Sequence, residues 1–285
     1  MKSPLLACLA LSFLTALPAV VRAETTPAPP PNPLAPDYTV YPAQKWEAKF
    51  GDFKFKTFVQ EGCTLPYRIY HPAVMEPGKK YPLVLFMHGA GERGVDNRKQ
   101  FLRFAPTVEF WKKYPCIVIA PQCPEPSQTA KDNGVWVQTA FGGLKHTMKE
   151  TPPWPMRLAR ALLARTIAEN PVDTNRIYVT GLSMGGFATW DIIERAPDEF
   201  AAAMPVCGGA DLAFAPKLAH LPIWVFHGDA DDTVPVSRSR DMVAALKAAG
   251  GNPKYTELPG VGHGAWGPAY SNPAAWDWLF AQMRK

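Results

Sequence analysis

The sequence is short of charge, of cysteine and of long apolar runs, and each shortage narrows what the chain can be. Asp, Glu, Lys and Arg make up 19% of its 285 residues, below the roughly 25% usual in globular chains. With 47% hydrophobic residues, this excludes the charge-rich disordered class. The formal charge is +5, but Lys and Arg are scattered with no dense stripe, which argues against a nucleic-acid partner. Five cysteines are present, none in a Cys-x-x-Cys pair, so zinc-ribbon and thioredoxin-like motifs are absent. No His/Asp/Glu group has metal-ligand spacing, and neither a metal nor a cofactor is expected. The longest apolar stretch, Leu5 to Val21, is broken by Ser12, Thr15 and Pro18 and is short for a membrane span.

That stretch reads as a secretory signal peptide. Lys2 precedes it, and Val21-Arg22-Ala23 ends it with small residues at −3 and −1, which places cleavage after Ala23. Removal of residues 1–23 takes away Lys2 and Arg22 and leaves a charge of about +3. The expected location is secreted or periplasmic, with no stable membrane span after cleavage. Residues 24–37, ETTPAPPPNPLAPD, form a Pro-rich linker that favours extended polyproline II and builds no core. A single domain is expected from Tyr38 to Lys285. It keeps Cys63, Cys116, Cys123 and Cys207. These are expected as buried thiols or one bridge, and because Cys116 and Cys123 flank one strand they are not expected to pair with each other.

Strand-like segments occur at 54–60, 65–72, 82–89, 116–121, 176–181, 200–206, 222–228 and 254–260. From residue 82 on, most are short continuous apolar runs, which fit strands covered on both faces of a parallel sheet. The first two alternate more and suit an antiparallel edge. Helical patterns lie at 156–170, 184–197, 236–251 and 273–285. Pro155 and Pro171 bracket the first, and Gly250-Gly251 ends the third. Strands alternating with helices give βαβ units and a mostly parallel, doubly wound α/β sheet flanked by helices. Residues 123–154, rich in Gly, Pro and Trp, form an irregular lid or wall.

The strongest motif is Gly181-Leu182-Ser183-Met184-Gly185, a G-x-S-x-G sequence between the apolar run RIYVT and a helix pattern. Strand–turn–helix is the context a nucleophile elbow needs. A serine hydroxyl attacks only when a base takes its proton, and in the α/β-hydrolase fold the acid and then the base follow the serine in the chain. The loop of HGDADDTVPV offers the acid, with Asp231 the first candidate and Asp232 and Asp229 its rivals. His263, between Gly262 and Gly264, is the candidate base. An oxyanion hole needs two fixed N–H donors. Met184 supplies one and Ala90 in His88-Gly89-Ala90-Gly91 the other, with Gly89 and Gly91 as alternatives. His88 and His227, at strand ends before glycine, read as structural, and Glu92 and Arg93 read as a loop brace.

Together HGAGERG, APQCP (120–124), GLSMGG, HGDADDTVPV and GVGHGAW resemble secreted α/β-hydrolases of the phospholipase/carboxylesterase-like or "predicted peptidase" kind. These are cousins of feruloyl and acetylxylan esterases and of polyhydroxyalkanoate depolymerases. The resemblance covers roughly residues 60–270. It implies Ser183 as nucleophile, Asp231 as acid, His263 as base, and Gln122 near the pocket. It also implies a carboxylic ester substrate, either a small molecule or linked to polysaccharide. Trp136, Trp154 and Trp266 are candidates for stacking on sugar or aromatic rings, or wall and core residues. A serine peptidase of the prolyl-oligopeptidase-like type is the alternative activity, although only about 45 residues precede PLVLFMHG after the linker, too few for a gating domain. A non-catalytic binding module is the third, and the intact triad pattern argues against it.

Overall fold

The structure, a computed structural model, describes residues 53–103, 110, 113–126 and 134–284. The expected signal peptide (1–23), the linker (24–37) and the first residues of the expected domain lie outside the described residues. The described residues all fall in one compact unit, Leu34–Lys285.

Eight strands form one sheet: β1 Lys54–Gln60, β2 Cys63–Tyr70, β3 Tyr81–Met87, β4 Ile117–Pro121, β5 Val172–Leu182, β6 Ala202–Val206, β7 Trp224–Gly228 and β8 Lys254–Leu258. Their spatial order is β1-β2-β4-β3-β5-β6-β7-β8. β1 and β2 are antiparallel, as is β2 to β4, and every later pairing is parallel. The alternating sequence of the first two strands therefore marks an antiparallel edge, and the apolar runs mark the parallel interior. All residues of β3, β4, β6 and β7 are buried, because helices cover both faces. β1 is exposed except at Phe58, and its Lys54 and Lys56 discourage a further strand from pairing there.

Helices α1 Trp154–Glu169, α2 Met184–Arg195, α3 Ala215–Leu218 and α4 Ser237–Ala248 pack on one face, and α5 Trp266–Ser271 and α6 Pro273–Ala281 on the other. The period of two along β3 divides the core. Leu83, Leu85 and Met87 join Leu158, Leu162, Phe187 and Ile193, while Val84 and Phe86 join Tyr270, Trp276 and Leu279, as successive strand side chains must point to opposite faces. β4 lies on one side of β3 and β5 on the other, so the chain reverses its winding direction there. In doubly wound sheets ligands bind at the carboxyl ends of the strands at such a point. β3 ends at the 88–92 loop and β5 at Ser183.

One element departs from the sequence expectation. The glycine-flanked segment around His263 runs into α5, a helix that includes Gly267 and Pro268 and is seated by buried Ala269 and Tyr270. The segment 134–153 is irregular, as expected, but polar contacts rather than secondary structure fix it. Arg238 donates to Gly143 O at 2.6 Å and Ala140 O at 3.0 Å. Arg195 donates to Lys149 O and Glu150 O at 2.7 and 2.9 Å, and Asp211 accepts from Met148 N at 2.9 Å. Cys63, Cys116, Cys123 and Cys207 are free thiols, and the last three are buried.

Candidate active site

The turn between β5 and α2 brings the start of α2 closer to the end of β3 than any side chain would allow. A Cβ on Gly185 would stand 1.9 Å from Met87 O, so an alanine there cannot fit without moving the β3 backbone. Ser183, between the two elements, adopts φ 54° and ψ −119°, a left-handed conformation that costs a non-glycine residue about 1–3 kcal/mol. Two hydrogen bonds hold it there: Ser183 N donates to Val206 O at 3.0 Å, and Ser183 O accepts from Phe187 N at 3.0 Å. The hydroxyl is thereby presented at the carboxyl end of the strands, and the side chain stays partly exposed.

The residues that sequence places far away arrive beside it. His263 Nε2 lies 2.8 Å from Ser183 Oγ, and His263 Nδ1 lies 2.8 Å from Asp231 Oδ2. A carboxylate only accepts, so Nδ1 carries the proton and Nε2 keeps a lone pair for the serine O–H. Gly228 makes this approach possible, since a Cβ there would meet Val261 O at 2.0 Å. The Asp231 side chain is fully buried. Burial alone would raise its pKa, but hydrogen bonds from His227, His263 and the Val234 and Thr233 N–H groups outweigh it and hold the carboxyl well below the usual range. The two rivals point elsewhere. Asp229 accepts from Gly260 N at 2.7 Å, and Asp232 faces Thr233 Oγ1 in solvent at 3.1 Å.

His227 has a larger part than a strand-end histidine suggests. Its ring is fully buried. Its Nε2 lies 2.9 Å from Val234 O and 3.2 Å from Asp231 Oδ2. Both partners are acceptors, so Nε2 carries the hydrogen and Nδ1 accepts from the Ser239 hydroxyl at 2.7 Å. His227 thus shares Asp231 Oδ2 with His263 and helps to hold the carboxylate in place. The signal was in the sequence, where His227 and Asp231 are four residues apart across a strand end. His227→Phe keeps the ring volume and removes the bond to the carboxylate. A hydrogen bond to a charged group contributes about 1.5–3 kcal/mol, so turnover by that variant is expected to fall about 10- to 100-fold with KM little changed. Steady-state kinetics on a chromogenic ester checks this.

The 88–92 loop abuts the turn, with Gly89 against Leu182. His88 Nδ1 donates to Gly89 O at 2.7 Å, and Nε2 accepts from Cys123 N at 2.8 Å. Glu92 N also donates to Gly89 O, at 3.3 Å. These bonds fix the Gly89–Ala90 peptide plane and so the direction of the Ala90 N–H. Arg93 Nε donates to Ala90 O at 2.9 Å, in keeping with a brace. Met184 opens α2, where N–H groups have no partner within the helix. Burial lowers the His88 pKa to about 4, against roughly 6.5 unfolded. The unfolded chain then binds a proton that the folded chain excludes, so stability falls as pH drops from about 6.5 to 4, by about 3 kcal/mol in total. His88→Gln, which can keep both hydrogen bonds, is expected to flatten that stretch of a Tm-against-pH profile.

The substrate-contact candidates divide. Trp266 stands at the site: its ring meets the His263 ring edge-on at 5.3 Å and 90°. Trp136 is fully buried and donates from Nε1 to His88 O at 3.1 Å, which makes it a support beneath the loop rather than a stacking surface. Gln122 is corrected in the same way. It is fully buried, its Oε1 accepts from Asn97 N at 2.5 Å, and its Nε2 donates to Glu92 O and Asp96 Oδ1, so its amide is used in bracing residues 92–97. Trp154 is buried at the start of α1. Of the remaining histidines, His71 meets Asn170 at 2.8 Å and His220 pairs with Asp198 in solvent at 3.0 Å.

A family model described as phospholipase/carboxylesterase matches residues 70–270. The chain belongs to the phospholipase/carboxylesterase family. It is similar to a thermostable esterase, at 38% identity and TM-score 0.72, over 82% of this chain and 64% of that one. A ferulic acid esterase shares the fold at 15% identity and TM-score 0.59, over 80% of this chain and 97% of that one. A curated relative, an uncharacterized secreted protein of Arthroderma benhamiae, is 24% identical over 251 residues. Those residues are 75% of this chain but 25% of the relative, so the family domain here corresponds to about a quarter of that protein. The sheet order and flanking helices are those of the α/β-hydrolase fold that the sequence implied. No helix among the described residues is long and apolar enough to cross a membrane.

Proposed function

We propose that the chain is an exported serine carboxylesterase that cleaves carboxylic esters through an acyl-enzyme on Ser183. Ser183 Oγ attacks the ester carbonyl carbon while His263 Nε2 takes its proton. The carbonyl oxygen gains the negative charge and is met by the Ala90 and Met184 N–H groups. His263 then gives its proton to the alkoxide as the C–O bond breaks, and a water molecule repeats the sequence to free the acid. Asp231 holds the imidazole in the required tautomer and stabilises it once charged. Trp266, beside the His263 ring, borders the leaving-group side and suits an aromatic or sugar ring. The chemistry needs no cofactor.

The observation that carries this reading is the 2.8 Å contact of His263 Nε2 with Ser183 Oγ, in line with a second 2.8 Å contact to a buried carboxylate. Purified protein is expected to hydrolyse p-nitrophenyl acetate or butyrate and to leave aminoacyl and prolyl anilides intact. Turnover of the anilides with no ester turnover would replace the esterase by a peptidase. A panel adding long-chain acyl esters, feruloyl esters and acetylated xylan assigns the acyl group.

A further inference from the structure

Helix α2 is buried along its whole length from Met184 to Glu194, so its polar side chains must find partners inside the protein. Thr189 does, donating to Gly185 O at 2.8 Å. Asp191 does, in a two-pronged pair with Arg195 at 2.7 and 2.9 Å. Glu194 does so on one side only. Its Oε1 accepts from Asp211 N at 2.8 Å, but Oε2 has no hydrogen-bond partner although the residue is 0% exposed. His146, from the irregular wall segment, is 9% exposed, and its Nε2 is also without a partner. His146, Asp191 and Glu194 each offer one ligand atom, and these atoms lie within 4.8 Å of one another. An orphaned buried carboxylate oxygen costs about 1–3 kcal/mol or more, yet here it sits beside an orphaned ring nitrogen.

We propose that His146, Asp191 and Glu194 form a binding site for a divalent transition-metal ion of the zinc class, which ties the wall segment to the helix that carries Ser183. One imidazole with two carboxylates is a donor set that suits zinc and disfavours calcium and magnesium, which prefer oxygen alone. Each Asp191 oxygen keeps a lone pair beyond its bond to Arg195. The ion would supply the partner that Glu194 Oε2 and His146 Nε2 lack. A second trio, Cys207, Asp231 and His263, is equally compact, but its atoms are already used. His263 Nδ1 and Asp231 Oδ2 bond each other, Asp231 Oδ1 takes two N–H groups, and Cys207 Sγ faces His263 O at 3.7 Å. The role is structural, and its test does not depend on ester turnover.

The full chain, stripped with a chelator and dialysed, would be titrated with zinc chloride by calorimetry at neutral pH. One equivalent is expected to bind, and at about one hundred times Kd zinc should raise Tm by about 5 °C, while calcium does not. His146→Gln and Glu194→Gln should each weaken zinc binding by more than about tenfold, the low end of what losing even an outer-shell partner costs. Cys207→Ser should leave it unchanged. Zinc-edge X-ray absorption on the wild-type protein adds a readout that no variant needs, with nitrogen and oxygen but no sulfur in the coordination shell. Absence of binding to the folded wild type, a sulfur ligand, or equal affinity in His146→Gln and Glu194→Gln would overturn the proposal.

Discussion

Ser183→Ala is expected to lower kcat on p-nitrophenyl butyrate by up to about 10^6-fold, the scale seen when a serine nucleophile of this kind is removed. His263→Ala should cost nearly as much, and the double variant little more than either single one, because the two side chains act as one unit. A second effect should accompany the loss. Ser183 is held at φ 54°, and glycine adopts that conformation without strain, so Ser183→Gly should be inactive yet more stable, by about 1 kcal/mol or more. A gain in Tm together with loss of turnover separates a strained reacting residue from one that merely fills space. Calorimetric scans of the wild type, Ser183→Ala and Ser183→Gly decide it.

Asp231→Asn is the next largest expected effect, about 10^4-fold in kcat, and the hydrogen bonds say why an isosteric change should cost so much. Asp231 Oδ1 accepts from Thr233 N and Val234 N, both at 2.9 Å. The amide oxygen of an asparagine must therefore take that position, which leaves its NH2 group facing His263 Nδ1. The imidazole then accepts at Nδ1, carries its hydrogen on Nε2, and presents no lone pair to Ser183. The same NH2 would oppose the Nε2–H of His227. The pH behaviour follows from the same carboxyl. Its folded pKa is depressed, so its contribution to stability is fully present above the ordinary carboxylate range near 4 and is lost as pH falls below it. Unfolding of Asp231→Asn should lack that low-pH component, which urea titrations between about pH 5 and 2.5 would measure.

Much of this was legible in the chain because it rested on short-range patterns. The runs PLVLFM, CIVIAP and WVFHG are too apolar for a one-sided sheet, and they became β3, β4 and β7. G-x-S-x-G between a strand and a helix pointed to Ser183, and Asp231 stood first among the three aspartates of the HGDADDTVPV loop. What the sequence hid has no period. β5 begins at Val172, four residues before its apolar run, because VDTN is polar and only its first residue is buried. The α5 helix contains Gly and Pro, poor helix formers, and is held by what Ala269 and Tyr270 pack against. The resemblance implied a place near the pocket for Gln122, and the sequence left Trp136 open between stacking and the core; both are held by contacts 26 to 48 residues away. His146 and Glu194 lie 48 residues apart in the sequence with nothing local to join them, and only the fold brings them together.

The most direct test is to treat the folded protein with a fluorophosphonate and map the adduct by mass spectrometry. One modified residue is expected, Ser183, with labelling abolished in Ser183→Ala and strongly slowed in His263→Ala and Asp231→Asn. A wild-type protein that stays unlabelled while folded, or an adduct on another serine that persists in Ser183→Ala, would contradict it.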